Sequence, residues 1–471
     1  MKRFWENILN LIDKKTNLTL LILLSIQLLL RLIIFFTTNT FAFTDWRGYL
    51  AGIEQIKAGE SLPLFYRAFT YLLSYIGYFF KYILGNLDYF FIFNSFLGVL
   101  VSLVSFFIVK EISNNHRKAI FVVLLQTIYV EFLAFSSIFY TVIIMLLLVN
   151  LIIYLLIKII KEEKLFKLII YGLLSILIAY LTYFFKIELI YFTYLLLIFA
   201  LINIKQKPLF VKFFVLGLIF LFSIITFNIY QKQFYVNTGK ITHVFFGHTY
   251  YGGFGGEGSF IFTENQEKYE TRMKEYFEKN NIKSPNPKDT GNFQKHEMFN
   301  FIKKEPHMWF LLQVRKFFFT FGIVPEGNSF TILYKGLFNR NFIITSAIIV
   351  FPVVFFVILF IFAIKKESFK LIFNDKKLLF MFLMLFYYLA ATIFYGPYQE
   401  RYRIPVIVMF ILPFIAIFSD NLSFKVILSN KKSLIIKILI LLSFVIAWSY
   451  QAYEALILSK ERYGIVFEKD F

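Results

Sequence analysis

Cysteine is absent from all 471 residues. Its absence removes disulfides, zinc–thiolate centres and thiol nucleophiles from consideration, and leaves the redox compartment open. Acidic residues are scarce as well: 29 Asp and Glu stand against 49 Lys and Arg, for a formal charge of +20. In a soluble chain such a balance would point to nucleic acid. Here no RNA- or DNA-binding pattern accompanies it, and the positive charge lies mostly in short loops between apolar runs, where orientation signals belong. No internal repeat is evident. The one glycine-rich stretch neither follows a strand nor opens a helix, which excludes a nucleotide phosphate loop.

What is abundant is apolar and aromatic side chain. Hydrophobic residues make up 59% of the chain, with 66 Phe and 30 Tyr, and the mean hydropathy is +0.69. An ordinary soluble domain is about half apolar. Part of the aromatic excess fits a Lys-, Ile- and Phe-rich compositional background. The apolar residues fall in runs of roughly 17 to 23, the length that crosses a bilayer as a helix. The expected fold is therefore an all-α polytopic membrane protein of about eleven spans. The candidate spans are 18–36, 89–109, 119–135, 139–157, 168–183, 189–204, 213–230, 342–364, 378–395, 404–419 and 433–449. The first is too long for a signal-peptide core and carries Arg31 near its far end, so a retained span is expected.

Orientation follows from the short loops. One alternating set carries Lys110, Arg117 and Lys118; Lys158, Lys161, Lys164 and Lys167; Lys205, Lys207 and Lys212; Lys365, Lys366, Lys370, Lys376 and Lys377; and Lys425, Lys431, Lys432 and Lys437. With the N-terminus, these all fall on one side, which the positive-inside rule assigns to the cytoplasm. The expected location is the cytoplasmic (inner) membrane, multi-pass, with the site on the extracytoplasmic face.

Three regions result: an N-terminal membrane module, 1–230, with a first extracytoplasmic loop at 37–88; a large extracytoplasmic loop, 231–341; and C-terminal membrane helices with a short extracytoplasmic tail, 342–471. In the large loop, Tyr269, Met273, Tyr276 and Phe277 line one face of an amphipathic segment, 264–280. Met298, Phe301 and Ile302 point to a second short helix that Pro306 should end or restart. Residues 307–321 are apolar but carry Gln313, Arg315 and Lys316, and read as an interfacial helix. Trp46 and Trp309 read as interfacial anchors or sugar-stacking platforms.

Five short segments stand out in order. They are Thr44-Asp45-Trp46-Arg47-Gly48-Tyr49 after the first span, Tyr183-Phe184-Phe185-Lys186-Ile187-Glu188 between two spans, and Phe246-Gly247-His248-Thr249-Tyr250-Tyr251-Gly252-Gly253 opening the large loop. Ile302-Lys303-Lys304-Glu305-Pro306 lies near the close of that loop, and Glu400-Arg401-Tyr402-Arg403-Ile404-Pro405 opens a late span. In this order and on this topology, they resemble the GT-C glycosyltransferases, multispan enzymes that use polyprenyl-phosphate-linked sugars. Protein O-mannosyltransferases, lipid A aminoarabinose transferases and their bacterial homologues show the most likeness. The resemblance covers nearly the whole chain, with three departures. Trp46, not a second acid, follows Asp45; Lys186 and Ile187 replace an Arg-Pro; and Tyr140-Thr141 stands where many relatives have Ser-Glu.

The resemblance implies a GT-C-like bundle that transfers a sugar, with inversion, from a polyprenyl-phosphate donor to a glycan, lipid or protein acceptor. It places a catalytic base at Asp45; the plain alternative is a loop acid paired with Arg47. Arg401, Tyr402 and Arg403, with Lys186, Glu188 and Arg47, are the candidates for the carrier phosphate, since guanidinium gives charged, bidentate contacts. The alternatives are arginines snorkelling at a helix end and a Lys186–Glu188 pair. His243, His248 and Tyr250 are candidates for acceptor contact. The two histidines with Asp45 or Glu257 leave a divalent cation open, the missing second acid argues against it, and no other cofactor is implied. Glu131 and Gln126 fall within a span, and Glu131 is accounted for by a place near its outer end. Expected partners are the lipid-linked donor, the acceptor and the bilayer, with no nucleic acid. From other classes, a transporter or lipid-linked glycan flippase is the alternative, then a glycan polymerase or a catalytically dead scaffold.

Overall fold

In a bilayer every backbone N–H and C=O must find its partner within the chain, and helices do this locally. A computed structural model describes residues 15–38, 45–60, 72–162, 164–185, 262–285, 287–322, 342–395, 400–423 and 431–469, with isolated positions elsewhere. Among these residues the regular structure is all helical, with no strand. Among the described residues, five helices are long and apolar enough to span a membrane: Thr16–Thr37, Asp88–Ser113, Val142–Lys161, Ile344–Ala363 and Lys431–Tyr450. A bent pair, His116–Thr127 with Val130–Ser137, makes a sixth if it is one span. The chain is thus built as a polytopic membrane protein.

In chain order the helices used below are α1 (Thr16–Thr37), α2 (Asp45–Lys57), α3 (Asp88–Ser113), α4 (His116–Thr127), α5 (Val130–Ala134), α6 (Val142–Lys161) and α7 (Leu165–Phe185). They continue as α8 (Phe262–Lys279), α9 (Pro287–Lys304), α10 (Pro306–Thr320), α11 (Phe342–Ala363), α12 (Lys366–Asn374), α13 (Lys376–Tyr395), α14 (Glu400–Val406), α15 (Leu412–Ile417) and α16 (Lys431–Lys469). The expected spans at 168–183, 378–395 and 404–419 fall on α7, α13 and the α14–α15 run. Those at 189–204 and 213–230 lie outside the described residues except for isolated positions.

Local chemistry explains the turns. Asn114 takes the left-handed conformation at φ 50° and stops α3. Asn115 caps α4 by accepting from the Arg117 and Lys118 amides at 2.9 and 3.3 Å. Asparagine suits both positions, tolerating left-handed φ and offering a side-chain oxygen to orphan amides. Pro287 and Pro306 each occupy a first helical position, where a missing N–H costs nothing. Between α14 and α15 the chain widens into a π turn, Ile407–Ile411, flanked by Pro405 and Pro413, whose missing amides interrupt the regular ladder.

The core lies where α3 packs against α1, α4 and α6, and α15 against α4 and α11. The third span departs from expectation. Rather than running through 119–135, it bends by 70° between α4 and α5. Side chains of the neighbouring helices take carbonyls of the short segment beyond the bend, whose helix ends at Ala134. Arg31 of α1, fully buried, donates through Nη1 to Phe132 O at 2.9 Å and to the Ser136 hydroxyl. Asn94 of α3 donates to Ser136 O at 3.1 Å. One turn below Arg31, Gln27 donates to Thr127 Oγ1 at 3.0 Å and accepts from Ser102 at 2.8 Å.

Arg31 fits because Gly98 of α3 has no side chain: a Cβ there would stand 2.5 Å from the guanidinium carbon. Gly98→Ala should therefore destabilise the protein by about 1–3 kcal/mol, the usual penalty for overpacking. Thermal unfolding in detergent should show this loss, and the further loss caused by Gly98→Ala should be much smaller in an Arg31→Met background, where the guanidinium is gone.

Candidate functional site

Two of the motif segments, those of Asp45 and Arg403, are anchored by aromatic and ionic contacts. Asp45 is the first residue of α2. The helix is held along its length by Tyr49, Ile53 and Glu54. Tyr49 packs edge-on against Tyr140 with ring centroids 5.4 Å apart. Ile53 is fully buried over Gly77. Glu54 accepts from Lys81 at 2.5 Å and from the Tyr82 hydroxyl, both in a π-helical segment, Phe79–Ile83. Those hydrogen bonds, Lys81's foremost, hold the Glu54 carboxyl below its ordinary range. Tyr140 thus has a packing role at the start of the fourth span.

The late motif meets the bent span. Glu131 of α5 is 1% exposed and Arg403 of α14 is 5% exposed. Arg403 Nε donates to Glu131 Oε2 at 3.0 Å, and Nη2 closes a second bond to Oε1. This is the bidentate fork that arginine forms best with a carboxylate. Nη1 donates to Gly322 O at 2.9 Å, just past the C-terminus of α10. Trp448 of α16 donates its indole N–H to Phe321 O, also at 2.9 Å. Two orphan carbonyls at the end of α10 are thereby taken up by a cation and an indole, as its dipole favours. The Tyr129 hydroxyl completes the Glu131 shell at 2.9 Å. One ion pair therefore joins the bent third span, the late motif and α10 of the large loop.

The expected site residues fall as follows. Arg403 is in this tie, and Arg47 is exposed on the first turn of α2. Arg401 and Tyr402 lie on the backbone of α14, two and one residues before Arg403. Lys186, Glu188, His243, His248 and Tyr250 lie outside the described residues. No group of three His, Asp or Glu that would hold a metal occurs among the described residues. In the large loop, α8 and α9 form where helices were expected, with Phe277 buried and Tyr276 against Phe293 at 5.3 Å. Glu131 is the residue whose part sequence reasoning missed. The signal available was a carboxylate in an apolar run together with an arginine at membrane depth, groups that usually occur as pairs.

No family model matches the chain, and no curated protein matches it. Among solved structures, the archaeal oligosaccharyltransferase AglB from Archaeoglobus fulgidus, in complex with an inhibitory peptide and a dolichol-phosphate, is similar to it with a TM-score of 0.46 at 14% identity. The match covers 96% of this chain and 58% of that one.

The seat of α2 is close-packed. A Cβ on Gly77 would lie 2.4 Å from Ile53 Cδ1 and 2.6 Å from Phe139 Cζ. Gly77→Ala should cost about 1–3 kcal/mol. Adding Ile53→Val, which removes the nearer atom, should restore part of the loss in the same unfolding assay.

Proposed function

We propose that this chain transfers a sugar, with inversion, from a polyprenyl-phosphate-linked donor to a glycan, lipid or protein acceptor at the extracytoplasmic face. The observation that carries the reading is the buried Glu131–Arg403 fork, which fixes the segment 400–405 against the bent span and the end of α10. Ionisable groups at membrane depth are costly and mark functional places. This pair immobilises the segment in which the resemblance places the donor phosphate.

In this proposal the acceptor oxygen attacks the anomeric carbon from the face opposite the phosphate. Its proton passes to the Asp45 carboxylate. The bond from the anomeric carbon to the phosphate oxygen breaks, and the polyprenyl phosphate leaves with the electron pair. Arg401 and Tyr402 meet the phosphate and offset its charge, Arg403 holds their segment, and Arg47 and Lys186 add positive charge, with Glu188 fixing Lys186. His243, His248 and Tyr250 contact the acceptor.

One observation favours the transporter or flippase reading: the 70° break in the third span, since interrupted helices mark transport sites. A single assay separates the two. Purified protein, with membrane extract as acceptor source, is given a panel of radiolabelled polyprenyl-phosphate sugars with and without chelator, and release of sugar from the carrier is followed. Wild type should release sugar. Asp45→Asn should slow release by about 10²–10⁴-fold, the usual contribution of a general base. Arg401→Ala should lower the apparent affinity for the donor. Equal rates for wild type and Asp45→Asn would remove Asp45 from the mechanism. No release by folded wild type from any donor would favour transport.

A further inference from the structure

The lysine-rich end of the bundle holds an arrangement that the proposed transfer does not use. Two other elements collect the last carbonyls of α11. Lys437 of α16 donates to Phe362 O at 2.9 Å, and Asn421 donates to Ala363 O at 2.8 Å. A cation at a helix C-terminus is favoured by the dipole. Yet Lys437 is only 8% exposed, on a helix whose adjacent side chains, Ile436 and Ile438, face outward.

Lys365 stands two residues beyond the end of α11 and three beyond Phe362, whose carbonyl Lys437 binds. Neither amine forms an ion pair with a carboxylate among the described residues. The nearby acids are engaged or turned elsewhere. Asp420 binds Lys118 at 2.5 Å, Asp375 accepts from the Lys377 amide at 2.8 Å, and Glu367 is exposed on the first turn of α12. Two like charges, one of them drawn out of water with no carboxylate between them, form an unfavourable arrangement that an external anion would relieve.

The surroundings say what kind of anion. α12 is amphipathic: Ser368 and Ile372 face the bundle, while Phe369, Leu371 and Phe373 are exposed beside exposed Lys366 and Lys370. Such a helix lies in a membrane interface. On α16, Ile435, Ile436 and Leu439 are exposed next to Lys437. A phosphate held by the two amines would therefore have apolar surface on either side of it, which suits acyl chains and not a free ion. We infer that the corner between α11 and α12 binds the headgroup phosphate of an anionic phospholipid, with Lys365 and Lys437 on the phosphate and the acyl chains along α12 and α16.

The test uses full-length protein in nanodiscs of phosphatidylcholine with a minority of phosphatidylglycerol, and native mass spectrometry of the lipid retained on re-extraction. Wild type should retain phosphatidylglycerol in preference. Lys365→Ala/Lys437→Met should retain roughly thirtyfold less, from about 1 kcal/mol for each of the two lysines. Lys366→Ala/Lys370→Ala, which removes equal charge from the exposed side of α12, should retain it as wild type does. Equal retention by the first double variant would overturn the site, and equal loss in the second would reduce it to diffuse attraction. On wild type alone, a short-chain phosphatidylglycerol should raise the unfolding midpoint in detergent, whereas inorganic phosphate should not. A rise with inorganic phosphate of the same size would replace the lipid with a small anion.

Discussion

A hydrogen-bonding group left unpaired in hydrocarbon costs several kcal/mol, and a helix that breaks there exposes a cluster of them. The third span breaks between Thr127 and Val130 and its short second arm ends at Ala134, and much of the surrounding bundle is explained by how the carbonyls on both sides of the break are paired. Arg31 comes from α1 and Asn94 from α3, and both reach the short segment 132–136. Gly98 is where it is because Arg31 needs the space. Gln27, Ser102 and Thr127 continue the pairing one turn further in, and Gln126, Ser105 and Asn150 extend it to α6 and the π turn at Val408. Individually such bonds in membranes average about 0.6 kcal/mol. Together they fix where the break falls.

The break in turn gives Glu131 its direction. In a straight span this side chain would lie on a helix face set by the spans beside it. On the bent segment it meets Arg403, and through Arg403 the end of α10. Neither charge is tolerable alone once buried, so the pair ties elements distant in sequence. The proposed chemistry depends on that tie: it holds the segment carrying Arg401 and Tyr402 while α2, carrying Asp45, is seated separately by Tyr49, Ile53 and Glu54.

Much of this architecture was legible in the sequence, for a simple reason. Span length, amphipathic spacing and prolines act locally. The run at 18–36 became Thr16–Thr37, the amphipathic segment at 264–280 became Phe262–Lys279, and Pro306 restarts a helix as its chemistry requires. The break was not legible. No glycine or proline marks residues 128 and 129, and the side chains that stabilise the bend come from α1 and α3. Nor was the role of Glu131 legible, since its partner lies 272 positions away. Arg403 was expected at the phosphate and is turned instead toward a carboxylate. A list of motifs in order carries no information that Arg403 is paired with a buried carboxylate.

The account turns on the Glu131–Arg403 pair as a coupled unit, and a double-mutant cycle measures that coupling directly. Unfolding free energies are compared for wild type, Glu131→Gln, Arg403→Met and the double variant in the same detergent. Each single change strands a buried partner and should cost about 3–5 kcal/mol. The double variant should cost much less than the two summed, leaving a coupling of about 2 kcal/mol or more. Additive losses, or a single variant as stable as wild type, would mean that the two side chains do not meet, and that the late motif is positioned by something else.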